Sequence, residues 1–139
     1  MKKILALMLI LPTMTFSQKF DGKKEYDKKM VGCWKGSEEG QQLEDVNKYW
    51  VNCRLENGKS VLLFVALNPK NGAVMQSTEN GIWWTSKGRY YEFHKTSGLT
   101  DIYKYEVSPD GQFASFESEF IIGKNDSSYK FTDEKTEDL

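Results

Sequence analysis

Gly81-Ile82-Trp83-Trp84-Thr85-Ser86-Lys87-Gly88-Arg89-Tyr90-Tyr91-Glu92-Phe93-His94-Lys95 is a run of aromatic and polar residues split by a Ser-Lys-Gly turn. Side chains alternate across a strand with period two. Tyr91, Phe93 and Lys95 therefore share one face, and Tyr90, Glu92 and His94 the other. The next stretch repeats the pattern. After Thr96-Ser97-Gly98, Tyr103, Tyr105 and Val107 face one way while Lys104 and Glu106 face the other. Consecutive runs of this kind, each closed by a glycine turn, are the unit of an antiparallel meander.

Working outward, Glu56-Asn57-Gly58-Lys59, Asn68-Pro69-Lys70-Asn71-Gly72 and Ser108-Pro109-Asp110-Gly111 punctuate the chain. The intervals are close to the roughly 8–12 residues of an all-β barrel or sandwich. No longer stretch sets its apolar residues at a helical period. The pattern predicts strands over 31–38, 48–55, 60–67, 73–77, 81–85, 89–95, 100–107, 112–120 and 129–132. Residues 61–67 are apolar on both faces, which predicts cover from two sides, one of them the N-terminal arm. A bulge at Gly88 would set Trp83 opposite Tyr91.

The ends of the chain carry a different signal. Lys2 and Lys3, an aliphatic run over 4–11, and Thr15-Phe16-Ser17 read as a secretory signal over 1–17. The run is too short to span a bilayer, and no membrane span is expected. The protein is read as exported, soluble in the periplasm or secreted. The remaining division is an N-terminal arm over 18–29 with one helical turn, a barrel domain over 30–132, and a flexible acidic tail over 133–139. Asp133, Glu134, Glu137 and Asp138 in that tail read as a solvated charge run.

Composition excludes several functions. With Lys2 and Lys3 removed, 17 of the 19 basic residues remain against 20 acidic ones, so a charge-driven nucleic-acid partner is not expected. A composition of 39% hydrophobic and 14% aromatic residues suits a packed domain. The two cysteines, Cys33 and Cys53, form an even pair in an exported chain, which predicts a structural disulfide. There is one histidine, His94. Its candidate acid–base partners are Glu92 and Asp101. Glu92 and His94 lie opposite Tyr91 and Phe93, on the face expected to meet solvent, where a histidine titrates unperturbed. No nucleophile elbow, zinc-protease, P-loop or calcium-loop pattern occurs. No catalytic residue, cofactor or metal site is therefore expected, and the chain is read as a non-enzyme.

Met30-Val31-Gly32-Cys33-Trp34-Lys35-Gly36 opens the first expected strand with Gly-x-Trp. This resembles the start of lipocalin-like (calycin) domains, and Thr100-Asp101-Ile102-Tyr103 is similar to their later Thr-Asp-Tyr. The pattern from Gly81 to Tyr105 also looks like small secreted bacterial domains of that kind. The resemblance implies an all-β chain, an up-and-down meander closing into a small lipocalin-like barrel of about eight strands. In such a barrel the tryptophan closes the narrow end and the interior takes a small apolar ligand. Lipocalins also rest a late arginine on that indole, and the arginines here are Arg54 and Arg89. If Cys33 opposes Cys53, Trp34 shares a face with Asn52, and Trp50 and Arg54 lie near. Arg54 then either stacks on an indole or stands in solvent.

The expected site is an aromatic wall of Trp34, Trp83, Tyr91, Phe93, Tyr103 and Tyr105, with Lys95 at the mouth, binding a small hydrophobic or aromatic ligand. The alternative is a protein-interaction or inhibitor module with no small ligand, for which Trp50 or Trp84 would stand on the surface.

Overall fold

Lys48, Trp50, Asn52 and Arg54 alternate with Tyr49, Val51 and Cys53 along β2 (Asn47–Arg54), and three of the first four are buried. That phase makes the polar set the inner one. The computed structural model describes residues 20–137, so the expected signal over 1–17 and the last two residues of the tail lie outside the described residues. β1 (Gly32–Glu39) runs antiparallel to β2 in an unbroken register that sets Cys33 opposite Cys53 and Trp34 opposite Asn52. The disulfide between those cysteines is formed.

β3 (Lys59–Leu67), β4 (Val74–Ser86), β5 (Arg89–His94), β6 (Leu99–Val107) and β7 (Phe113–Ile121) follow as a meander, each antiparallel to the one before. β9 (Lys130–Thr136) returns between β7 and β1, and the β6–β7 pairing completes the ring. β8 (Lys124–Asn125) is a two-residue piece on the end of β7. The protein is thus all-β, a closed up-and-down barrel of eight strands. Closure removes the free edges that would otherwise template aggregation.

Four sequence expectations change. The strands expected over 73–77 and 81–85 are one strand, β4, held through Thr78, Glu79 and Asn80 by pairing with Leu63, Leu62 and Val61. No bulge forms at Gly88. Ser86 pairs with Arg89 across a two-residue turn, with φ of 49° at Lys87 and 76° at Gly88, the positive pair that a tight hairpin demands. The tail expected from Asp133 is strand as far as Thr136, and Asp133 is fully buried. The arm makes a single 3-10 turn (Lys28–Met30), and Glu25 bridges to Thr85. It lies against β4 rather than over β3, so Val61, Leu63 and Val65 stay exposed on the outside of the barrel.

One end of the barrel is filled by rings. Trp34 and Trp83 are fully buried, with Tyr90, Tyr103 and Phe116 beside them. Tyr90 meets Phe116 at 5.4 Å and Trp83 at 6.4 Å between ring centroids. The Trp34 indole donates to the Met30 carbonyl at 2.9 Å, and the Trp83 indole to that of Leu55 at 2.9 Å. Each buried ring removes roughly 150–250 Å² from water, worth about 4–6 kcal/mol at about 25 cal/mol per Å².

Candidate functional site

Arg54 ends the inward stripe of β2 and sits where the aromatic half of the barrel meets the polar half. Its Nε donates to the Tyr90 hydroxyl at 2.9 Å and its Nη2 to Asp133 Oδ2 at 3.5 Å. The guanidinium lies 4.7 Å from the Tyr90 ring centroid and 5.5 Å from that of Phe116. Burial alone would lower the Arg54 pKa, but Tyr90, Asp133 and Glu92 outweigh it and hold it above its ordinary value. Burial pushes the Asp133 carboxyl up, and Arg54 and the Trp50 indole pull it partly back. That indole donates to Asp133 Oδ1 at 2.9 Å. It reaches the carboxylate because Gly36 faces it across β1, where a Cβ would collide with both Trp50 and Asp133. Arg54 is therefore neither stacked on an indole nor solvated; Lys135 Nζ, not an arginine, lies over Trp34, at 5.5 Å.

Beyond Arg54, toward the end of the barrel opposite Trp34, polar side chains enter the inner surface among Leu62, Phe64 and Ile122. Asn52 Nδ2 donates to Glu92 Oε1 at 2.6 Å across the interior. His94 is clamped between Glu79 Oε1 at 3.3 Å and Asp101 Oδ2 at 3.1 Å, and the Tyr103 hydroxyl donates to the same Asp101 oxygen at 3.4 Å. Lys48 pairs with Glu38 at 3.0 Å and contacts Gln42. Burial alone would lower the His94 pKa; the hydrogen bond to Asp101 and the charges of Glu92, Asp101 and Glu79 carry it up to about 9. Lys48, Asn52, Glu92, His94 and Asp101 line a cavity of about 170 Å³, with the rings of Trp50, Tyr103, Tyr129 and Phe131 among its walls. Two wall atoms, Arg54 Nη1 and Asn52 Oδ1, are buried with no hydrogen-bond partner among the described residues.

The aromatic wall read from sequence does not form as one surface. Trp34, Trp83, Tyr103 and Tyr105 point inward, but only Tyr103 reaches the cavity. Trp34 and Trp83 fill the closed end, and the Tyr105 hydroxyl donates to Asp27 Oδ2 at 2.8 Å, pinning the 3-10 turn. Tyr91 and Phe93 point outward, because the two-residue turn at Lys87-Gly88 sets Tyr91 opposite Trp84 rather than Trp83. There Trp84 and Tyr91 stack at 5.2 Å and 7°, and with Phe93 they line an outer groove of about 760 Å³ beneath residues 20–25. Lys95 is exposed in the turn after β5, away from both. Glu92 and His94, expected in solvent, face the interior, so the expected unperturbed histidine is replaced by one held between two carboxylates.

The residues that sequence reading missed are Lys48, Asn52, Glu79 and Asp133. For the first two a signal existed: Lys48, Trp50, Asn52 and Arg54 form a period-two stripe in phase with Trp34 once Cys33 is set opposite Cys53. Asp133 left no such trace.

No protein-family model matches the chain, and no curated protein matches it. The likeness to lipocalins stands on Gly32-Cys33-Trp34 and on the closed eight-stranded barrel, with the tryptophan buried at one end. Among the described residues no helix is long and apolar enough to cross a membrane. No cluster of three or more His, Cys, Asp or Glu side chains among them is placed to hold a metal ion.

Proposed function

We propose that the protein is an exported, non-enzymatic binding protein that takes a small polar ligand into the open end of its barrel. The signal-like first 17 residues and the disulfide support export into an oxidising compartment. The unpaired Arg54 Nη1 and Asn52 Oδ1 on the cavity wall carry the binding reading. A buried donor or acceptor left without a partner costs about 1–3 kcal/mol, and a guest that supplies both partners recovers that cost. The charged and amide groups set among the apolar wall, and the packed aromatic end, turn the expected ligand from a purely apolar one to one that also carries polar groups. The non-enzymatic reading is supported by His94, the one histidine, whose ring nitrogens are both engaged by Glu79 and Asp101 and so are not free to act as a general base. Native mass spectrometry of protein purified from the exporting host tests the reading. The expected spectrum shows a small adduct that is absent from Phe64→Trp, which adds bulk to the cavity wall. A bare chain whose melting temperature also ignores a library of small polar metabolites would overturn it.

A second reading, an interaction module, is favoured by a separate observation. Trp84 is buried, while Trp50 is half-buried, turning its indole N–H inward to Asp133 but also lining an outer groove. The support is Tyr49, Leu63, Val65 and Phe113, each 37–45% exposed along that groove. Large exposed apolar patches mark interaction surfaces. Sedimentation equilibrium tests whether the face meets a second copy: the wild type is expected to self-associate and Leu63→Lys to stay monomeric. A wild type that is monomeric at every concentration removes that partner.

A further inference from the structure

The cavity's unused valences define the charge of its guest. Among its cations, Lys48 is occupied by Glu38 and Gln42, and His94 by Glu79 and Asp101. Arg54 commits Nε to Tyr90 and Nη2 to Asp133, leaving Nη1. Among the acceptors, Asp101 is taken by His94, by the Tyr103 hydroxyl and by the Ile122 amide, and Asp133 by Trp50 and Arg54. Glu92 receives one hydrogen bond, from Asn52, and makes no ion pair among the described residues. Asn52 Oδ1, on the same amide, receives none. What remains is one cationic donor, and one amide acceptor beside a carboxylate that feels the charges of Arg54 and His94 but has no cation in contact with it among the described residues.

We propose that the ligand is a small zwitterion, an α-amino acid with a short apolar side chain, its carboxylate on Arg54 Nη1 and its ammonium on Asn52 Oδ1 and Glu92. This rests on the cavity being the ligand site. An anion would satisfy Arg54 and be repelled by Glu92; a cation would satisfy Glu92 and be repelled by Arg54. A neutral guest can fill the hydrogen bonds but gains no charge contact with Arg54 or Glu92. A guest with both charges satisfies every group at once. Asn52 and Arg54 are two residues apart on one face of β2, roughly 7 Å along the strand. Two charges close together, as on either side of a single α-carbon, suit groups on neighbouring inward positions of one strand. The volume sets the size: about 170 Å³ is the share of roughly six water molecules. Leu62, Phe64 and Tyr129 on the same wall give a short aliphatic side chain an apolar contact.

Isothermal titration of the mature, disulfide-bonded chain with four probes tests the proposal. L-valine carries both charges, isovalerate lacks the ammonium, isobutylamine lacks the carboxylate, and glycerol is neutral. L-valine is expected to bind at least tenfold more tightly than each of the other three. Glu92→Gln keeps an acceptor for Asn52 but loses the charge, so it should weaken L-valine about tenfold and narrow its advantage over isovalerate. If isovalerate, isobutylamine or glycerol equals or exceeds L-valine on the wild type, the zwitterion is overturned and the cavity remains a ligand site. If none of the four binds but the native protein carries an adduct, the zwitterion is again overturned and the site stands. If none binds and no adduct exists, both readings fall.

Discussion

A guanidinium shut away from water keeps its charge only where its partners replace the lost hydration, and at Arg54 those partners are Asp133, the Tyr90 hydroxyl and two ring faces. Breaking a buried pair from one side strands the other charge, which costs about 3–5 kcal/mol. Arg54→Met should lower stability by that amount in urea unfolding. Adding Asp133→Asn should restore part of it, because the stranded carboxylate disappears while an acceptor for Trp50 remains; a double variant as unstable as the summed singles would show that the pair is not coupled. His94 gives the pH counterpart. Its folded pKa of about 9 lies above the ordinary 6.5, so the fold favours the protonated ring. The stabilisation is complete below about pH 6.5 and is lost as pH rises through 9. The difference corresponds to on the order of 3 kcal/mol. Melting temperatures from pH 6 to 10 should fall across that window in the wild type, and His94→Gln, which cannot titrate, should flatten the decline.

At the scale of elements, the covalent link between β1 and β2 joins directly opposed residues 20 apart in sequence. Removing it frees a loop worth about 3 kcal/mol in the chain-entropy model. Cys33→Ala/Cys53→Ala should therefore lower the unfolding free energy by that amount, read as a lower urea midpoint, and keep the native circular-dichroism spectrum, since the β1–β2 register is also set by Trp34 and its neighbours; an unchanged midpoint would mean that the unfolded chain is already confined. Period-two alternation made the strands legible, and the cysteine pair made the register of the first two legible. It did not reveal which face points inward. On β5 the more apolar face, Tyr91 and Phe93, lies outside against Trp84 and Phe20, while Glu92 and His94 lie inside. The usual rule is reversed because the inner charges neutralise one another and the N-terminal segment covers the outer rings. β9, expected as a strand only over 129–132, was half legible for a related reason. Asp133-Glu134-Lys135-Thr136 reads locally as solvated, and what it lacks in sequence is its distant partners: the β1 and β7 backbones on either side and, for Asp133, an arginine 79 residues earlier. No window along the chain displays those pairings.

At the scale of the whole molecule, closing eight strands creates an interior that must be filled or wetted. Here it is divided, with rings at the Trp34 end and paired charges around a small cavity at the other. A cavity of about 170 Å³ is below the roughly 300–1,000 Å³ usual for drug-sized ligands, so the barrel has no room for a long apolar guest. The prediction that tests this division creates the missing space. Trp83 is fully buried and fills the interior beside Tyr90, with its indole bonded to the Leu55 carbonyl. Trp83→Ala should cost about 3–5 kcal/mol and leave an apolar void with that carbonyl unpaired. Indole supplies both the ring and the N–H, so millimolar indole should raise the melting temperature of the variant by mass action. The wild type, whose interior already holds that ring, should not respond to indole or to palmitate. An equal rise in both proteins would mean that the aromatic end is already hollow, and the ligand would then have to be sought among apolar molecules after all.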